Sequence, residues 1–329
     1  MGNHGISVII PNYNGRHILP QVLPSLLEAL ANSGLPNEVI VSDDCSDDQS
    51  VEYLNQSFPS IITIENKMNR GFSPTINRGI QEARYEYVLL LNSDVKLSPD
   101  YFAGLMRYFE REDTFGVMGR IIGWNDDAIQ DAAKYPRFAG AKIKTTGNYY
   151  ASTPKQTDWL YSMYLSGANA FVSRTKLLAL GGFDEIFAPF YVEDFEISLR
   201  AWRLGWKCYY EHFAVCRHQT SLTIKSKSSK TYINSIYYRN KMFLHAMHLS
   251  GIQLFLWYIQ LIPETIIRLL TLRFYYLRSV KYFFKNRKRA AQSRQKFATM
   301  AQSTGTMLSV QQVVSLIKRS LKDIDIKRF

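Results

Sequence analysis

Carboxylates standing where apolar strands end are the residues of this chain best suited to chemistry. Tyr87-Val88-Leu89-Leu90-Leu91 runs straight into Asn92-Ser93-Asp94. Ile6-Ser7-Val8-Ile9-Ile10 enters Pro11-Asn12-Tyr13-Asn14-Gly15, and Glu38-Val39-Ile40-Val41 enters Ser42-Asp43-Asp44. Buried parallel strands read as short unbroken apolar runs, and open α/β sheets bind ligands outside the carboxyl ends of their strands. Three strand ends would then face one crevice, with Asp94 placed as a ligand-facing acid. Taken singly, each feature has a plainer reading. Asp94 could cap the next helix, Glu193-Asp194 could compensate a helix dipole, and His218 could be a structural or surface histidine. The acidic run Asp43 to Asp48 lacks the glycine and distal glutamate of an EF-hand, which argues against calcium.

The elements that must position these residues follow from periodicity. The first 110 residues alternate apolar strands with amphipathic stretches, the pattern of βα units around a largely parallel sheet. Apolar residues Leu19, Val22, Leu23, Leu26, Leu27 and Leu30 predict a helix over 19–31. Further helices are expected over 51–56 and 74–83, with a strand over 61–64 between them. Ser98-Pro99-Asp100 predicts a helix from Tyr101 to Phe109, with Pro99 near its first position. Residues 115–165, punctuated by Gly, Asn and Asp, read as irregular and partly antiparallel. Beyond them a helix is expected over 174–180, closed by Gly181-Gly182, and another from the Glu193-Asp194 start through Arg203. Trp206 to Tyr210 and Ala214 to Cys216 read as two final strands.

At 329 residues the chain can bury a sizeable core. Its net charge of +12 is uneven: residues 219–329 carry 20 Lys/Arg against Glu264, Asp323 and Asp325, whereas the preceding residues are net acidic. Cys45, Cys208 and Cys216 lack the even count of a disulfide framework and the paired spacing of a zinc site, so free thiols in a reducing compartment are expected. Met1 to Gly5 leads into a strand without an apolar leader, from which a cytoplasmic location is expected. A dehydrogenase would need G-x-G-x-x-G after the first strand, and a nucleotidyltransferase a Gly-rich phosphate loop with a lysine; both are missing.

Taken together and in order, these motifs resemble the family 2 glycosyltransferases, inverting enzymes with the GT-A fold. The matching pieces are Ser7 to Asn14, Glu38 to Asp44, Asn69-Arg70-Gly71-Phe72 with Asn77-Arg78-Gly79, and Leu90 to Asp94. Later ones are Ser166 to Asn169, Gly181 to Glu185, Tyr191 to Arg200, and His218. The resemblance covers residues 6 to about 245 and implies an α/β GT-A domain over 1–245, Rossmann-like, with helices on both faces of a mostly parallel sheet. Residues 246–329 would form a helical, basic and aromatic extension. The chain looks most similar to nonprocessive, rhamnosyltransferase-like members that build surface polysaccharides. The Gln-x-x-Arg-Trp signature of processive synthases is missing, so one sugar per encounter is expected.

The resemblance implies a hexosyl-type transferase using a nucleotide-diphosphate sugar and a saccharide or lipid-linked saccharide acceptor. Pro11, Tyr13 and Asp44 would bind the nucleoside, with Arg70, Asn92 and Ser93 also on the donor side. Asp94 and His218 would hold Mg²⁺ or Mn²⁺. Asp194 would be the catalytic base, aided by Glu193, and Trp159, Gly167 and Asn169 would frame the sugar and acceptor. The triplet Asn92-Ser93-Asp94 departs from the family's commoner pattern in carrying one acid. A noncatalytic nucleotide-sugar-binding scaffold is the competing reading; the presence of Asp44, Asp94, Asp194 and His218 argues against it.

The tail mixes Trp257, Tyr258, Phe274, Tyr275 and Phe283 with Arg268, Arg273, Lys281 and Lys285. Its apolar run is too interrupted to span a bilayer. An interfacial helix on an anionic membrane is expected over 252–289, which would put the enzyme peripherally on the inner face of the cell membrane; the alternative is that the aromatic side chains pack onto the catalytic domain and the Lys/Arg form a solvated face. No nucleic-acid motif is present, so nucleic acid is not expected as a partner. Residues 286–306 read as a polar linker before a short amphipathic helix over 308–321.

Overall fold

A computed structural model describes residues 3–219 and 229–329. Met1 and Gly2 lie outside the described residues. The chain begins as its periodicity predicts, with β1 (Ile6–Asn12), α1 (Leu19–Ser33), β2 (Asn37–Asp43), α2 (Ser50–Ser57), β3 (Ile62–Glu65), α3 (Phe72–Glu82) and β4 (Tyr87–Leu91). β4, β1, β2 and β3 are adjacent and mutually parallel. Strand alternation feeds two cores. Ile9, Val88 and Leu90 face one, while Val8, Ile10, Leu89 and Leu91 face the other, so both faces of the sheet are dry.

After β5 (Val95–Leu97) the expected helix over 101–109 does not form. Turns lead instead into a short 3₁₀ segment, Met106–Glu110. Gly104 weakens helical propensity there, and Tyr101, Phe102, Leu105 and Tyr108 are all buried against the sheet. The region expected to be irregular is regular: β6 (Thr114–Gly123), β7 (Ile129–Asp131), β8 (Ala133–Ala139), β9 (Lys142–Ala151) and β10 (Leu160–Tyr161). Glycines misled the reading. A Cβ on Gly116 would lie 2.5 Å from Phe171 O, and one on Gly119 2.3 Å from Ala214 O, so these glycines admit neighbouring strands rather than mark turns.

β11 (Asn169–Ser173) enters antiparallel between β4 and β6. α4 (Arg174–Ala179), α5 (Glu193–Arg203) and β12 (Lys207–His218) follow. β12 is one strand, not two, with a register shift between Glu211 and Val215 as it runs parallel to β6.

The basic tail folds back on the rest as α6 (Lys230–His248), α7 (Gly251–Leu270), α8 (Phe274–Lys285), α9 (Arg287–Thr304), α10 (Val310–Ser320) and β13 (Ile326–Arg328). Its apolar residues Phe243, Trp257, Phe283, Phe297 and Val313 join the core cluster that contains Ile9 and Leu90. β13 pairs with β9 in a second, three-stranded sheet. The expected linker over 286–306 is α9, which buries only Ala290, Phe297 and Ala301; so sparse an apolar stripe hides a helical period. α7 continues through Pro263, and among the described residues no helix is long and apolar enough to cross a membrane. Cys45 is exposed, Cys208 and Cys216 are buried, and all three are free thiols.

α3 packs on β1 through Gly79, where a Cβ would meet Ile9 Cγ2 at 2.4 Å and Ser42 Oγ at 2.9 Å. Gly79→Ala should therefore cost roughly 1–3 kcal/mol by overpacking. A denaturant midpoint at or above that of the parent chain would contradict this contact.

Candidate functional site

The ends of β1, β2 and β4 open into a cleft of about 600 Å³. Its walls take Pro11, Asn12 and Tyr13 from β1 and the loop after it, and Asp44 from beyond β2. Asn92, Ser93 and Asp94 come from the end of β4, and Glu193 and Asp194 from the start of α5. His218 closes one side from the end of β12.

The floor is braced by carboxylates. Asp43 accepts from Asn12 Nδ2 at 2.7 Å and from Ser46 N at 2.8 Å. Asp44 Oδ1 accepts from Asn66 Nδ2 and Arg70 N, both at 2.8 Å, and its Oδ2 accepts from Gly71 N at 2.8 Å. Asp44 thus fixes the Arg70–Gly71 loop as well as facing the cleft, and its Oδ2, which accepts one bond, keeps a lone pair for a ligand. Gly71 has φ 85°, and a Cβ there would lie 2.5 Å from Pro189 Cα. Only glycine suits that close approach of two loops.

Asp94 and His218 meet at the far end. His218 Nε2 is 3.3 Å from Asp94 Oδ1, with side chains 18% and 23% exposed. That oxygen is buried and has no hydrogen-bond partner among the described residues. A buried carboxylate oxygen left unsatisfied beside an imidazole nitrogen suits a divalent cation whose remaining ligands are phosphate and water oxygens. Among the described residues no group of three or more His, Cys, Asp or Glu could hold an ion without such help.

Opposite stands the start of α5. Tyr191 and Val192 have φ 73° and 78°, a left-handed conformation that is strained for a β-branched valine. α6 holds it in place: Asn240 Nδ2 donates to Phe187 O at 2.6 Å, Tyr191 O at 2.8 Å and Phe190 O at 3.0 Å. Arg239 donates to Ala188 O. This clamp aims Glu193 and Asp194 into the cleft.

Asp194 keeps a face on the cleft while protein packs round the rest of it. Burial raises its pKa. The Phe195 N–H at 2.7 Å opposes that, as do the ammonium groups of Lys134 and Lys241 and the backbone of Gly167. Burial pulls both lysines down, Lys241 to about 8, and Asp194 offsets part of that fall. Lys134 is also paired with Asp131. Burial and then the adjacent Asp194 push Glu193 from 4.5 to about 8, and Glu193 Oε2 has no hydrogen-bond partner among the described residues. Glu193 is therefore largely protonated at neutral pH. From pH 4.5 to 8 the unfolded chain releases this proton while the folded chain keeps it, so stability falls as pH rises. The Tm of Glu193→Gln should gain on the parent chain across this window and hold that gain above it; parallel pH profiles would show that Glu193 is not held neutral.

Of the residues expected to act, Pro11, Tyr13, Asp44, Asn92, Ser93, Asp94, Gly167, Glu193, Asp194 and His218 line this one cleft. Three expected companions are placed differently. Arg70 sits at the rim, its guanidinium 3.2 Å from Glu185, and contributes its backbone N–H to the loop. Asn169 is fully buried and donates to Gly119 O and Cys216 Sγ, tying three strands together instead of framing an acceptor. Trp159 packs against Tyr108 and Tyr209 at 4.9 and 5.5 Å, with Arg111 over its ring, away from the cleft lining. Aromatic character alone could not separate a sugar platform from this cluster. Asn240, Lys134, Lys241, Phe190 and Tyr232 carry no local sequence signal for this site, because their partners, backbone carbonyls for Asn240 and Asp194 for the two lysines, lie far along the chain.

The glycosyl transferase family 2 profile matches residues 7–180. The chain is 25% identical over 242 residues to a chondroitin synthase of Escherichia coli, a match covering 65% of this chain. It is 30% identical over 128 residues, 38% of its length, to an undecaprenyl-phosphate 4-deoxy-4-formamido-L-arabinose transferase of Pectobacterium atrosepticum. These matches span 34% and 38% of the two relatives' own lengths. In architecture it resembles a mannosyltransferase of Pyrobaculum calidifontis solved with GDP-Man and Mn²⁺, at TM-score 0.52 and 15% identity, covering 97% of this chain and 81% of that one. The profile match takes in the strand ends that form the cleft floor, and the architecture is GT-A: this chain belongs to glycosyl transferase family 2.

Proposed function

We propose that the chain transfers one hexose-type sugar per encounter, with inversion, from a nucleotide-diphosphate donor to a saccharide or lipid-linked saccharide acceptor in cell-surface polysaccharide synthesis. The observation that carries this is a single cleft lined by both Asp194 and the Asp94–His218 pair. Pro11 and Tyr13 receive the nucleoside, and Asp44 accepts a hydrogen bond from its base. Asn92 and Ser93 lie along the sugar and diphosphate. Gly167 and the aromatic rim of Phe190, Tyr191 and Tyr232 border the acceptor. Asp194 takes the proton of the acceptor hydroxyl as that oxygen bonds to the anomeric carbon. The bond to the diphosphate oxygen breaks on the opposite face, and its electrons leave with the nucleotide. Glu193, protonated at neutral pH, orients the acceptor by donating a hydrogen bond. Mg²⁺ or Mn²⁺ held by Asp94 and His218 would neutralise charge on the departing diphosphate.

Residues 1–245 are the catalytic unit in this reading, and 246–329 are a platform that brings it to a membrane. α7 and its following turn expose Ile252, Phe255, Ile259, Ile266, Leu270 and Leu272, with Leu270 75% exposed and Arg273 beside them. An apolar helix face bordered by cations suits the headgroup boundary of an anionic bilayer. A relative named for undecaprenyl phosphate supports a lipid-linked acceptor. The test is a panel of UDP-, dTDP- and GDP-sugars with Mg²⁺ or Mn²⁺, read as nucleotide release with and without acceptor extracts. Divalent-dependent release from one donor is expected. Nucleotide binding without turnover under every condition would instead favour a noncatalytic binding protein.

A further inference from the structure

We infer that a second cavity, between β9, α6 and α7, binds a phosphate-bearing group of the acceptor; the inference rests on the transferase reading above. The cavity measures about 540 Å³. Lys142, Lys144, Lys241, Arg268 and Arg273 line it, against one carboxylate, Glu264. That carboxylate is already engaged. It pairs with Lys142 and accepts from Gln260 Nε2 at 2.9 Å and Tyr276 OH at 3.0 Å. Among the described residues Lys144, Arg268 and Arg273 have no acidic partner, while Lys241 faces Asp194 of the neighbouring cleft. Lys241 is half-buried, its ammonium 4.6 Å from the centre of the Phe195 ring, and the Arg268 guanidinium lies 5.4 Å from that of Tyr238.

Three cations without counter-charge, beside a fourth that faces Asp194, exceed what the engaged Glu264 neutralises. A phosphate or diphosphate supplies the charge and enough acceptor oxygens for Lys and Arg donors on different walls. The cavity adjoins the catalytic cleft. Tyr237 of its wall meets Tyr191 of the cleft edge-on at 6.3 Å, and Lys241 packs on Phe195, the residue after Asp194. Its outer rim includes Ile267 and Thr271, beside exposed Ile266 and Leu270. An acceptor whose phosphate sits here could present its sugar hydroxyl towards Asp194.

Two probes test this with the full chain: inorganic pyrophosphate, and vesicles containing phosphatidic acid compared with phosphatidylserine vesicles of matched surface charge. Nucleoside diphosphate and Mg²⁺ are kept saturating, so that the donor cleft is filled. The Lys144→Gln/Arg273→Gln variant removes two exposed cations that touch neither the donor nor the core. It should bind the relevant probe roughly tenfold or more weakly, the worth of one charged hydrogen bond, with nucleotide affinity unchanged. A loss seen with pyrophosphate assigns a free phosphate. A loss seen with phosphatidic acid beyond that with phosphatidylserine assigns a lipid phosphate. Equal binding of both probes by parent and variant overturns the inference. Absence of nucleotide binding by the parent chain would sink the transferase reading instead, so the two failures are distinguishable.

Discussion

Asp194→Asn is expected to lower sugar transfer by roughly 10²–10⁴-fold, the usual contribution of a positioned general base. Nucleotide affinity should change little, because in the proposed reading the nucleotide rests on Asp44 and the strand ends of the cleft and not on α5. The substitution is nearly isosteric and Asn can still accept the Phe195 N–H, so folding should be retained. The pH profile supplies the sharper test. Catalysis needs the carboxylate ionised, and burial holds the Asp194 pKa above its ordinary value. The acid limb of kcat/KM should therefore lie above the ordinary carboxylate range. Lys241→Met removes a cation that favours the carboxylate, so it should move that limb to still higher pH. An acid limb unmoved by Lys241→Met, or a fully active Asp194→Asn protein, would take the base role away from Asp194.

Asp94→Asn and His218→Ala should each cost on the order of 10²–10³-fold in transfer, comparable with losing one preorganised group opposite developing charge. The two losses should not multiply, since both remove the same cation. Chelation of divalent ions should bring the parent chain to the level of either variant. Mn²⁺ binding followed by electron paramagnetic resonance in the presence of nucleoside diphosphate gives a readout independent of turnover. Parent-like Mn²⁺ affinity in both variants would show that the 3.3 Å pair serves another purpose. Folding should tolerate Asp94→Asn, because the oxygen it changes is either the pair's Oδ1, which has no hydrogen bond to lose, or its partly exposed neighbour.

Legibility followed the range of the interactions. Strand ends were readable because a buried parallel strand needs an unbroken apolar run and the ligand-facing residue comes next in the chain; Asp44 and Asp94 were found this way. The start of α5 was readable because three acids crowd its first turn. The β6 to β9 region was misread because Gly116 and Gly119 serve contacts with residues 171 and 214, far along the chain. α9 reads as a linker in the sequence because its burial is confined to Ala290, Phe297 and Ala301.

By itself the sequence determined the βα alternation, the acidic strand ends and the basic tail, all of which are set by neighbours within a turn or a strand. Only the tertiary structure decided that Asn169 and Trp159 serve packing, that Asn240 clamps the strained turn before Glu193, and that Lys134 and Lys241 face Asp194. It also decided that the tail shares a core with the strands whose ends form the cleft. The physical reason is that hydrogen bonding, desolvation and charge act through distances in space, and Lys134 and Asp194 become neighbours only once β8 of the three-stranded sheet and the start of α5 are brought together by the fold.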